Sequence, residues 1–263
     1  MHSSQILSFL KYQITRPYLN GHGIHSPFLF DFANKVLYSK KNIIKDHQKV
    51  KVLRNELLHN KCYLDVTDFG AGSTHLKTKQ RRISDITKYS SSSSKYSGLL
   101  HKIVNYLQPS TIIELGTCIG IGTLYMATGC PNAKIYTLEG SEALASLASS
   151  NFKKINIDNI TQVIGDFDVT LNDTLKILNG CDFVYIDGNH TKEATLRYFN
   201  VIMSFANQQT IMVFDDIRWS KPMFEAWMLI CENSKVTLSI DLFQMGIIFF
   251  NTSFKKQHFL LYY

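Results

Sequence analysis

Residues 112–122, "IIELGTCIGIG", begin as a buried strand and end in glycines. The apolar run of Ile112, Ile113 and Leu115 breaks at Gly116. Gly120 and Gly122 follow, and "TLYMAT" then resumes a helical pattern. Strand, glycine turn and helix bring bare backbone against a nucleotide-like ligand. A dinucleotide fingerprint reads G-x-G-x-x-G, whereas this loop reads G-x-x-x-G-x-G and is preceded by an acid, Glu114. An acid there would repel a pyrophosphate and suit a cationic ligand.

The pattern continues outward from this loop. Helix "YSGLLHKIVNYL" leads into strand 111–115 and helix 120–129. Strands at 134–140, 161–166, 182–188 and 210–216 then alternate with helices at 141–152, 168–178, 191–205 and 221–232. Five strands alternating with helices predict an α/β fold, a doubly wound parallel sheet. "KVTLSID" (235–241) and "MGIIFFN" (245–251) lie close enough to form an antiparallel hairpin. The first 90 residues read as helical and irregular, without strand–helix alternation. Serines 90–94 read as a flexible separator, so the expected domains are an N-terminal extension, 1–94, and a catalytic-looking domain, 95–263.

Composition narrows the classes. No apolar run approaches the ~20 residues of a bilayer span, and the N-terminus shows no secretory pattern. Ile6, Leu7, Phe9, Leu10 and Ile14 suggest an amphipathic helix. The five cysteines are scattered and odd in number, as buried thiols of a reducing, cytoplasmic compartment would be. Residues 1–110 carry 17 Lys and Arg against 6 acids, and residues 111–263 carry 11 against 15. Such a basic N-terminal part could attract phosphate, nucleic acid or an acidic glycan, or simply be solvated. Nucleic acid is the less favoured partner, because its lysines and arginines lack interleaved aromatics in the sequence. His22 and His25 form H-x-x-H without a third ligand, and "DFGAGS" (68–73) is a second glycine loop followed by too polar a segment.

An open α/β sheet binds its ligand at the carboxyl ends of its strands, and the acids collect there. Glu114 and Gly116 end the first strand, Glu139 the second, Asp166 the third, Asp187 the fourth, and Asp215 with Asp216 the fifth. Glu139 can take both hydroxyls of a ribose. Asp166 can accept from an adenine amino group while Phe167 packs on the base. These are adenosine contacts without a phosphate site, and S-adenosylmethionine fits them.

With these residues the sequence resembles the class I S-adenosylmethionine-dependent methyltransferases over about residues 95–251, "ELGTCIGIG" and "TLEG" being the most specific pair. The resemblance implies a Rossmann-like sheet of five parallel strands plus the C-terminal antiparallel hairpin, in strand order 3-2-1-4-5-7-6, behind an N-terminal helical extension. It is similar in particular to the metal-dependent O-methyltransferases of the catechol type and their bacterial sugar-modifying relatives. Those carry a metal-binding Asp at the end of the fourth strand, here Asp187 in "YIDGNH", and an acidic pair at the end of the fifth, here Asp215 and Asp216 in "FDDI". A basic side chain three positions after the first Asp serves them as general base; that position is His190. Asp187 counts both as a cofactor contact and as a cation ligand.

The chemistry agrees. Methyl transfer from a sulfonium is an in-line displacement that must align a hydroxyl and take its proton. Carboxylates from adjacent strand ends suit Mg²⁺ or a similar divalent cation, and an imidazole titrates in the right range. In the competing view Asp187 and Asp216 cap the helices that start near Thr191 and Ser220. Arg218, Trp219 and Met223 follow the acidic pair and could touch substrate or pack the rim. The expected acceptor is a hydroxylated small molecule or glycan. The N-terminal part is expected to cover the acceptor or form a homodimer surface.

Overall fold

The computed structural model describes residue 12 and residues 26–39, 47–67 and 78–263. The expected helix around Ile6–Ile14, the His22/His25 pair and the loop at 68–73 lie outside the described residues, Tyr12 excepted. In chain order, α1 (Pro27–Phe32) continues into a π-helical turn (Ala33–Leu37) and is followed by α2 (Gln48–His59), β1 (Tyr63–Asp65), β2 (Gln80–Arg82), α3 (Ile83–Tyr89) and α4 (Ser94–Leu107). Next come β3 (Thr111–Leu115), α5 (Ile121–Gly129), β4 (Lys134–Glu139), α6 (Glu142–Ile155), β5 (Ile160–Ile164) and α7 (Phe167–Leu178). The chain finishes with β6 (Phe183–Ile186), α8 (Lys192–Met203), β7 (Ile211–Phe214), α9 (Lys221–Glu232), β8 (Leu238–Asp241), β9 (Gly246–Phe249) and β10 (Gln257–Leu260).

The chain divides into two compact units, one of Lys41–Asn179 and one that joins Met1–Lys40 to Gly180–Tyr263. In the middle unit β3, β4 and β5 run parallel, with β4 in the centre. In the unit of the two chain ends β6 pairs parallel with β7, β7 antiparallel with β9, and β9 antiparallel with β8. Counted from the glycine-loop strand, these are the runs 3-2-1 and 4-5-7-6, as the α/β resemblance implies. "FVYI" of β6 and "GIIF" of β9 are buried at every residue. Strands covered on both faces read as continuous apolar runs rather than alternating ones. That is why the sequence marks them so clearly.

Three features differ from expectation. β1 and β2 form a short antiparallel ribbon inside the supposedly strandless N-terminal part; three-residue strands such as "QRR" leave no hydrophobic periodicity to read. β10 adds a parallel edge strand beside β8. The serine run is a held connection instead of a flexible one. Arg54 donates to Ser91 Oγ (2.8 Å), to the Ser92 carbonyl (3.0 Å) and to the Thr87 carbonyl (3.2 Å), and Ser93 caps α4.

In the middle unit Val50, Leu53 and Leu57 of α2 and Ile83 and Ile86 of α3 share one core with Ile119, Leu124, Leu144 and Phe152. The glycine loop therefore rests on the same apolar cluster as the helices that precede it.

Candidate active site

In the middle unit the glycine loop is shaped by backbone that side chains resist. Gly116 has φ 104°, Cys118 φ 50° and Gly120 φ 80°. Gly120 begins α5, and a Cβ on it would stand 2.4 Å from the Phe152 ring, so a glycine is required there twice over. The Gly116 and Thr117 amides donate to the Leu138 carbonyl (3.0 and 3.2 Å), which ties the loop to β4. Gly122 lies buried in the first turn of α5.

Glu139, at the end of β4, is held in one orientation. Its Oε2 accepts from the Cys118 amide (2.8 Å) and its Oε1 from the Ser141 amide (2.9 Å), so the carboxylate bridges the glycine loop and the turn into α6. Glu114 is 1% exposed. Its Oε2 accepts from the hydroxyls of Thr123 (2.5 Å) and Thr137 (2.6 Å). Because the Thr137 proton is used in that bond, Thr117 donates to Thr137 at 2.5 Å. The acid before the loop is thus buried in a hydroxyl network. Asp166 is exposed and caps α7, accepting from the Asp168 amide at 2.8 Å; Phe167 opens that helix and is half-buried.

In the unit of the chain ends the parallel register sets Ile186 against Phe214, so Asp187 and Asp215 follow at the same level. The Tyr185 hydroxyl lies 3.0 Å from Asp187 Oδ2 and 2.9 Å from Asp215 Oδ2. One phenol proton can serve one acceptor at a time, so the second contact asks for a proton from a carboxyl group. Asp215 is suited to carry it. Burial raises its pKa well above 3.8, and the charges of Asp187 and Asp216 raise it further, against hydrogen bonds from Tyr185 and the Asp216 amide. Burial also raises Asp216; the His190 charge opposes this, Asp187 adds to it, and the Gln244 side chain opposes it. Asp216 itself takes φ 51°. Neither Asp187 nor Asp216 serves as a helix cap. Thr191 and Ser220 do so, accepting from the amides of Ala194 (3.3 Å) and Met223 (3.2 Å).

His190 sits half-buried with Nε2 3.5 Å from Asp187 Oδ1. Its ring centre is 6.3 Å from that of Trp219, at an interplanar angle of 40°. Arg218 is committed elsewhere. Its guanidinium pairs with both oxygens of Asp241 (2.6 and 2.7 Å) and donates to the Phe243 carbonyl (3.0 Å). Met223 is buried and accepts from the Thr195 hydroxyl. Sequence reasoning missed Tyr185, although its place two residues before Asp187 on one strand puts both on the same face. It also missed the hydroxyls around Glu114, which ordinary threonines of a strand and a helix do not announce. Among the described residues no group of three His, Cys, Asp or Glu side chains stands in metal-ligating geometry. The donor set at the ends of β6 and β7 is nonetheless all oxygen, mostly buried and mutually repelling, which is the chemistry a hard cation relieves.

Residues 113–217 match the sequence model of the family described as "Methyltransferase domain". Over these residues the chain is similar to a methyltransferase domain. The Mycobacterium tuberculosis protein named "Probable O-methyltransferase Rv1703c" is 31% identical to it over 140 residues, 49% of this chain and 59% of that protein. A catechol O-methyltransferase of the same organism is 29% identical over 115 residues, 42% of this chain and 50% of that protein. The chain thus spans less than two thirds of the length of either relative. Among solved structures, the O-methyltransferase from Bacillus cereus in complex with SAH has a TM-score of 0.53 at 18% identity, over 84% of this chain and 97% of that one. The O-methyltransferase TomG from Streptomyces achromogenes, in complex with SAM, has a TM-score of 0.53 at 18% identity, over 61% and 81%. These neighbours show the fold alone. No helix among the described residues is long and apolar enough to cross a membrane.

Proposed function

We propose that this methyltransferase domain transfers the methyl group of S-adenosylmethionine to a hydroxyl of a small molecule or glycan, with a divalent cation at the acidic strand ends and His190 as base. The observation that carries the cofactor is Glu139, an acid at the end of the second strand already oriented by two amides, one of them in the glycine loop. The cofactor supplies an electrophilic methyl on a sulfonium. Glu139 accepts the ribose hydroxyls, Gly116 and Gly120 let the methionine end approach bare backbone, and Asp166 and Phe167 hold the base. Glu114 shapes the loop from below and contributes negative potential toward a cationic ligand.

A divalent cation held by Asp187, Asp215 and Asp216 would lower the pKa of an acceptor hydroxyl. Tyr185 keeps the first two carboxylates at one level, and repulsion among the three acids makes each a better cation ligand once ionised. His190 removes the hydroxyl proton; Asp187 beside its Nε2 orients the ring and steadies the imidazolium that forms. Cys62, Cys130, Cys181 and Cys231 are free thiols, which supports a reducing, cytoplasmic setting. The N-terminal segment is assigned to acceptor coverage or a homodimer surface.

Calorimetric titration tests the cofactor. Wild-type protein should bind S-adenosylmethionine, and Glu139→Ala should bind it about 10- to 100-fold more weakly, the loss of a charged hydrogen-bonding group. Equal affinity of the two proteins would overturn the assignment.

One observation favours a second reading, methylation of RNA. Tyr63 and Tyr89, 55% and 44% exposed, lie under the cations of Arg82 (5.3 Å) and Lys88 (4.9 Å). The basic N-terminal part therefore does carry exposed aromatics, as single-stranded nucleic acid binders do. A gel shift with single-stranded RNA that weakens steeply with salt would support it.

A further inference from the structure

Ahead of the glycine-loop strand, α2 carries a cation that no acid among the described residues pairs with. Arg54 lies between Leu53 and Leu57 in the chain, and these two share one apolar cluster with Ile119 of the glycine loop and with Ile121 and Tyr125 of α5. The partly buried Cys118 side chain packs on the same cluster, and its amide is one of the two that hold Glu139. Arg54 is therefore placed at the foot of the glycine loop, within the middle unit. It is half-buried, and three of its N–H groups go to neutral acceptors, the Ser91 hydroxyl and the Ser92 and Thr87 carbonyls. A guanidinium has five such donors, so two have no partner among the described residues. Burial lowers its pKa, and the groups that oppose this are the Tyr125 phenol and the Cys118 thiol, neither of them a carboxylate. Burial in turn raises Tyr125 above the ordinary phenol value, so the ring supplies no negative charge. A partly desolvated guanidinium gains more from a carboxylate than from neutral oxygens, because the ion pair offsets the loss of water.

The cofactor proposed above brings such a group. Its methionine end, which meets the backbone of Gly116 and Gly120, terminates in an α-carboxylate, and the two acids fixed at the loop, Glu114 and Glu139, repel it. We infer that Arg54 holds the α-carboxylate of S-adenosylmethionine, so that α2, which lies outside the sheet, supplies a residue of the cofactor site. Ser91, Ser92 and Thr87 fix the guanidinium in place and leave two donors for the ligand. This inference rests on the cofactor reading, in which Glu139 takes the ribose.

Calorimetry on the full chain with two nucleosides separates a cofactor contact from a structural one. S-adenosylhomocysteine carries the amino-acid end, and methylthioadenosine lacks it. Wild type should bind S-adenosylhomocysteine the more tightly. Arg54→Gln should weaken that binding about 10- to 100-fold, the worth of a charged hydrogen bond, and shift methylthioadenosine by less than about twofold. Arg54→Lys keeps the charge without the planar fork and should fall between wild type and Arg54→Gln; it carries the test if Arg54→Gln fails to fold. Equal weakening for both nucleosides would assign Arg54 to holding the serine run alone, and unchanged affinity for S-adenosylhomocysteine would remove it from the site. Either result overturns the inference. Wild type that binds methylthioadenosine as tightly as S-adenosylhomocysteine would do the same and leave the Glu139 assignment standing. Wild type that binds neither would overturn the cofactor reading, and this inference with it.

Discussion

At the scale of single residues, Asp215 sets stability against the cation-binding role proposed for it. Its carboxyl is buried, shares the Tyr185 hydroxyl with Asp187, and has its pKa raised first by burial and then by neighbouring charge. A carboxyl whose folded pKa lies above the unfolded value keeps its proton longer in the folded state. Its contribution is therefore fully present below about pH 4 and is lost as pH rises toward the folded value. We expect Asp215→Asn to raise the neutral-pH Tm of the unliganded protein by about 2–4 °C, and to abolish turnover. The Tm difference from wild type should shrink as pH falls toward 4. Thermal melts of both proteins from pH 4 to 8 check the sign, and a gap that widened on acidification would refute it. Mg²⁺ should raise the Tm of wild type and leave the variant unmoved.

At the scale of elements, the glycine loop shows what sequence can and cannot reveal. Its strand, turn and helix were legible because Ile112, Ile113 and Leu115 stop at a glycine. The reason for Gly120 was not, since Phe152 lies 32 positions away and meets it through the packing of α6 on α5. Gly120→Ala should cost about 2–4 kcal/mol, from a left-handed φ and an overpacked ring. Phe152→Leu in the same chain should recover part of it; urea unfolding of the single and double variants measures both. The acids at the strand ends were likewise legible by position, whereas their coupling through Tyr185 needed the register of β6 against β7. β10 was invisible because "QHFL" is a short edge strand with two exposed residues. Its His258 shares a hydrogen bond with Ser239 on β8 at 2.7 Å. Burial lowers its pKa from 6.5, Asp241 opposes, and Arg218 lowers it further. A histidine depressed in the folded state stabilises above pH 6.5 and is lost as pH falls through the folded value. Amide exchange at Gln257–Leu260 should accelerate below that range, and His258→Gln should flatten the response.

At the scale of the whole molecule, the chain is interleaved: its two ends make one unit and its middle the other. The sequence suggested a linear division because charge and serine content change along the chain, and composition cannot see a segment returning. Tyr12 shows the return, its hydroxyl directed to the main-chain carbonyls of Asp241 and Leu261 and its ring edge-on to Phe243 at 5.3 Å. The division also separates the proposed ligands, since the adenosine contacts fall in the middle unit and the acids with His190 in the unit of the ends. Each ligand should therefore protect its own unit from hydrogen exchange. S-adenosylhomocysteine should slow exchange at residues 116–122 and 139–141, and Mg²⁺ at 187–190 and 215–219. Tyr12→Phe removes one hydroxyl from the second unit alone, so it should hasten exchange at residues 241–245 and 257–261 and leave 116–122 unchanged. Protection of 215–219 by the nucleoside in the absence of Mg²⁺, equal to that given by the cation, would show that the acids belong to the cofactor and not to a metal.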